Sequence, residues 1–161
     1  MKCDLARRNV VKTIFWGAIG LGLLGISPQG CRRNSSSDFS PSAVLDEIEK
    51  NPALQRMKEG KFCFLHKSLE GLTENGQISF SIIQRGLYAL DLIKTSPDDF
   101  RFGLYGDETA GAVKCLQDWG GIDRESGWSG RKFGKTTLNA LTSALELKQN
   151  DPRFSLGNCQ D

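Results

Sequence analysis

The chain of 161 residues is 39% hydrophobic with a mean hydropathy of −0.35, room for one ordinary soluble domain beside a leader and a tail. Residues 1–30 hold Lys2, Arg7, Arg8 and Lys12 against Asp4 alone; setting these apart from the 21 basic and 19 acidic side chains turns the formal charge from +2 to −1. That balance excludes a nucleic-acid partner, which would need a basic face to displace counterions.

The opening MKCDLARRNVVK is basic, and IFWGAIGLGLLGI (14–26) follows as an uncharged apolar run. At 1.5 Å per residue the run reaches roughly 20 Å, short of the ~30 Å hydrocarbon core, so residues 1–30 read as a secretory signal. Gly30 directly precedes Cys31, and RRNSSSDFSPS supplies a polar tether. This resembles a bacterial lipoprotein signal, although Pro28 stands where that pattern has leucine. The resemblance implies a lipid on Cys31 as the first mature residue, a flexible linker over 31–41 and a chain anchored in the cell envelope outside the cytoplasm. Cys63, Cys115 and Cys159 then remain for at most one disulfide, with all three pairings open.

Ser42 is the expected N-cap of a helix in AVLDEIEK. In NPALQRMKEG, Asn51 is the expected cap, Pro52 the first helical residue and Gly60 the stop. KFCFLHKSLEGL fits either a helical face of Phe62, Leu65 and Leu69 or a short strand at 62–65, so 42–72 is an N-terminal helical extension. Phe80, Ile83, Leu87 and Leu90 form one stripe, predicting a helix over 79–93. Thr109, Ala112, Val113, Leu116 and Trp119 predict a second over 107–119, with Asp107 and Glu108 at its positive end and Gly120-Gly121 as its stop. Leu138, Leu141 and Leu145 predict a third over 135–148. The expected fold is all-α, a small three-helix bundle over 73–148 preceded by further helices and followed by a tail over 149–161.

One phrase occurs twice. YGDET (105–109) and FGKTT (133–137) each join an aromatic residue, a glycine and a threonine at the start of a helix. IQRGL (83–87) and LQDWG (116–120) each set a glutamine on the shoulder of the preceding apolar stripe. The glycine permits a sharp turn, the threonine can satisfy an orphan amide, and the glutamine can reach the adjacent loop backbone. Holding the fold is the first expectation for these residues, with ligand contact by the glutamines as the alternative.

The ordered set, IIQRGLYAL (82–90), FGLYGDETAGAVKCLQDWGGI (102–122) and GRKFGKTTLNAL (130–141), resembles the bacterial peptidoglycan-binding domain, a three-helix module. The resemblance covers about 73–145; Asp91 replaces a usual glycine, and DRESGWSGRK is longer than the common second turn. It implies peptidoglycan as partner, no cofactor, no metal and no catalytic residue.

Catalysis has little to work with. Zinc-dependent wall hydrolases need several histidine and aspartate ligands, whereas His66 is the sole histidine and reads as a surface side chain. Cys63 and His66 lie three apart without the surroundings of a cysteine transpeptidase, and a Cys₃His zinc site is only arithmetically open. For binding, a glycan needs flat apolar faces and its stem peptide needs cations. Trp128 in SGWSGRK, with Arg131 behind it, is the leading candidate; Tyr105, Trp119, Gln84 and Gln117 complete the set. The functional expectation is non-catalytic peptidoglycan binding by a lipid-anchored protein, with an envelope protein-interaction module as the rival.

Overall fold

A computed structural model describes residues 39–66, 74–122 and 129–157, so the leader, Cys31, Cys159 and Trp128 lie outside the described residues. The protein is mostly helical, as expected. Its order is α1 (Pro41–Lys50), α2 (Pro52–Lys58), β1 (Phe64–Leu65), α3 (Glu74–Ala89), α4 (Asp107–Trp119), β2 (Lys132–Phe133) and α5 (Lys135–Asn150). No helix among the described residues is long and apolar enough to cross a membrane.

Helix α1 begins one residue before its expected cap. Ser40, not Ser42, accepts from the Ala43 amide at 3.2 Å, and Pro41 takes the first turn, where a missing N–H costs nothing. Asn51 caps α2 as expected, its Oδ1 accepting from the amides of Ala53 and Leu54, each at 3.0 Å. Val44, Ile48, Leu54 and Met57 are buried in the same core as Phe80, Ile83, Leu87, Leu116, Leu138, Leu141 and Leu145. The N-terminal helices are therefore part of the bundle's interior, and a two-pronged ion pair from Arg85 to Glu47 joins α3 to α1.

Helix α3 covers Glu74–Ala89 rather than 79–93, although the apolar stripe runs on through Leu90 and Ile93. Asp91 ends it by adopting φ 61, a left-handed conformation that favours glycine. The Leu92 amide bonds the Leu87 carbonyl at 3.0 Å and the Asp91 amide bonds the Tyr88 carbonyl at 2.9 Å, the paired bonds of a Schellman cap. Helix α4 ends the same way at Gly121 (φ 58), with Ile122 bonding Gln117 at 3.0 Å and Gly121 bonding Asp118 at 3.2 Å. Asp91 thus occupies a position built for glycine.

The duplicated phrase is a duplicated clamp. Gln84 Nε2 donates to the Leu104 carbonyl at 2.7 Å and to Thr109 Oγ1 at 3.1 Å, while its Oε1 accepts from the Gly103 amide at 2.6 Å. Gln117 repeats this with the Lys132 carbonyl at 2.9 Å, Thr137 Oγ1 at 3.2 Å and the Gly130 amide at 2.9 Å. Each glutamine lies along the loop that follows its helix and fastens it to the first turn of the next. Tyr105 and Phe133, the aromatic partners in the phrase, are both buried.

The ambiguous segment after Gly60 contains a strand. Phe64 pairs antiparallel with Phe133 and Leu65 with Lys132, and the His66 amide extends the ladder to the Arg131 carbonyl at 2.8 Å. This short ribbon joins the N-terminal extension to the loop before α5.

Candidate functional site

The ribbon and the second clamp meet over one face of α4. Gly130 adopts φ 67, and a Cβ there would lie 2.2 Å from the Ala110 carbonyl oxygen, so only glycine lets the loop press this close to the helix. Tyr105 donates its hydroxyl to the Gly130 carbonyl at 2.7 Å from beneath. Burial, and the neighbouring Cys63, push its phenol far above the usual range, so it remains a neutral donor.

Two hollows lie along α4. The smaller, about 350 Å³, is lined by His66, Asp107, Ala110, Gly111, Lys114, Ser129 and Arg131. The larger, about 800 Å³, runs along α4 past Asp91, Lys94, Glu108, Cys115 and Asp118 to Trp119, Leu156 and Gly157. Asp107, Gly111 and Lys114 line both, which makes them neighbouring parts of one trough. Gly111 has open space where a side chain would stand.

The small hollow has unusual walls. The His66 side chain is only 11% exposed, which corrects the expectation of a surface histidine; the ribbon draws it inward and Tyr105 packs edge-on against it at 5.7 Å. His66 Nε2 lies 3.0 Å from Asp107 Oδ1, close enough for charge attraction once the ring is protonated but not aligned for a hydrogen bond. His66 Nε2 and Ser129 Oγ are buried polar atoms without hydrogen-bond partners among the described residues.

The wall of the large hollow combines apolar and charged groups. Trp119 is 36% exposed, and Phe154 from the tail meets it edge-on at 6.0 Å. Lys148 holds that tail, donating to the Phe154 carbonyl at 2.9 Å and to Asp91 Oδ2 at 3.2 Å. At the other end, Glu108 accepts from the Lys94 amide at 2.8 Å, the Thr95 amide at 2.9 Å and the Thr95 hydroxyl at 2.7 Å. Partial burial raises its pKa, but the hydrogen bonds outweigh that effect and hold the carboxyl below its usual range.

Of the expected ligand residues, Trp119 and Arg131 face the trough. Gln84, Gln117 and Tyr105 do not: all are buried, and their polar atoms are engaged by loop backbone, so they hold the fold instead of meeting a ligand. The sequence offered His66 only as a catalytic or zinc residue and gave no sign of Ser129 or Lys114 as site residues; the orphaned nitrogen of His66 takes its place beside the ribbon in which β1 pairs with β2. Cys115 is disulfide-bonded, with its partner outside the described residues, and cannot serve as a thiolate ligand in a Cys₃His zinc site. Cys63 lies beside Gly134 and outside any disulfide, which removes it from the expected pair.

No protein-family model matches the chain, and no curated protein or solved structure is significantly similar to it.

Proposed function

We propose that this is an exported, lipid-anchored envelope protein that holds peptidoglycan without cutting it. The observation that carries this reading is Trp119, a partly exposed indole on a groove of about 800 Å³ with Lys94 and Lys114 on the same wall. An indole offers a flat apolar face to sugar C–H groups, and the two ammonium groups suit stem-peptide carboxylates. The duplicated glutamine clamp and the ordered resemblance of 73–145 to the peptidoglycan-binding family support the same reading. Cys31 and the polar stretch after it supply the tether, so that lipid at one end and wall affinity at the other join membrane to wall.

Co-sedimentation with purified wall sacculi tests this. The protein pellets with sacculi, and Trp119→Ala weakens binding by about tenfold, a loss of roughly 1.4 kcal/mol. A protein that stays in the supernatant refutes the reading and favours an envelope protein as the partner.

A further inference from the structure

We propose that the smaller hollow receives an α-amino-acid end, an ammonium and a carboxylate on one carbon, of the kind an uncross-linked stem peptide presents; this rests on the wall-binding reading above. His66 Nε2 and Ser129 Oγ are two buried polar atoms without hydrogen-bond partners among the described residues, and both residues line the same cavity of about 350 Å³. Leaving such a group unsatisfied costs stability, and most buried polar atoms find a partner within the fold. Two together in one hollow indicate a partner from outside.

The identity of that partner follows from the donors. Ser129 can donate its hydroxyl proton, His66 can donate from Nε2, and Arg131 and Lys114 bring positive charge to the same cavity. These four groups converge on an anion with more than one acceptor oxygen. Asp107 places a carboxylate on that wall, 3.0 Å from His66 Nε2, which disfavours a dianion such as phosphate and favours a carboxylate that brings its own ammonium. His66 belongs to the N-terminal extension, outside the span that resembles the wall-binding family. The ribbon pairing Leu65 with Lys132 delivers it, and so gives the extension a part in recognition.

The test uses the full chain in mild detergent and two soluble disaccharide-peptides, each with a free ammonium and a carboxyl group on one carbon, identical except that in one this carboxylate is amidated. The free carboxylate form binds roughly tenfold more tightly than the amidated one. Ser129→Ala and Arg131→Ala remove that preference. Because Ser129 Oγ has no hydrogen-bond partner among the described residues, Ser129→Ala leaves the melting temperature unchanged or slightly higher, which a structural serine would not do. Equal binding of the two peptides, in a protein that still pellets with sacculi, overturns this inference and leaves wall binding standing. Displacement of the peptide by millimolar inorganic phosphate also overturns it. If the protein does not pellet, the wall-binding reading falls and this inference with it.

Discussion

The side-chain amide of Gln117 donates to the hydroxyl of Thr137 at 3.2 Å, joining α4 to the first turn of α5 across 20 positions of chain. The same amide holds the Lys132 carbonyl and the Gly130 amide, so one side chain sets the loop that carries Ser129 and Arg131. Replacing Gln117 with alanine orphans both backbone groups in a nearly buried place. We expect Gln117→Ala, and Gln84→Ala in the parallel clamp, each to cost about 2–4 kcal/mol in urea denaturation. A loss within experimental error would show that the clamps are incidental.

Glycines at this site divide by what surrounds them. Gly130→Ala drives a methyl into the Ala110 carbonyl at a left-handed position and should lose about 2–5 kcal/mol. Gly121→Ala meets nothing within 4 Å and should lose only about 1–2 kcal/mol, from its backbone angle alone. Gly111→Ala, inside α4 and facing open space, should gain about 0.5–1 kcal/mol because alanine suits a helix better. Thermal melts of the three variants check that order.

Glu108 makes the fold sensitive to acid. Its carboxyl is held below the ordinary value of 4.5 in the folded protein, so it favours the folded state above that value. That stabilisation is lost as pH falls through the lowered value. Glu108→Gln should therefore cost about 1 kcal/mol at pH 7, discounted for solvent exposure, and less at pH 3. Urea midpoints at the two pH values measure the difference; an equal loss at both would assign the effect to shape, not charge.

The tail places Phe154 against Trp119 and brings Leu156 and Gly157 to the groove that Cys115 lines. Cys159 follows two residues later. Peptide mapping under non-reducing conditions should recover Cys115 joined to Cys159. Recovery of Cys115 joined to Cys31 would contradict that pairing and remove the cysteine assigned to the lipid.

Local features were legible in the sequence. The span of α4, the Asn51 cap, the Gly60 stop and the repeated glutamine, glycine and threonine all follow from short-range rules, and each stands where expected. Helix α3 was displaced because its stripe continues past the turn at Asp91, a residue that does not announce a left-handed angle as glycine would. The burial of His66 was hidden because it depends on Phe64 meeting Phe133, a pairing between distant parts of the chain that two-residue strands do not signal. Trp119 was visible as a candidate, but only the fold of the tail shows it on a groove.

The central claim is that this trough grips the wall and leaves it whole. Gly111→Trp tests it most directly, since the indole would stand in the open space shared by both hollows while α4 keeps its other contacts. The unsubstituted protein should pellet with sacculi and release no soluble fragments, whereas a folded Gly111→Trp variant should stay in the supernatant. Equal pelleting of the two proteins, or soluble fragments released by the unsubstituted one, would contradict the account.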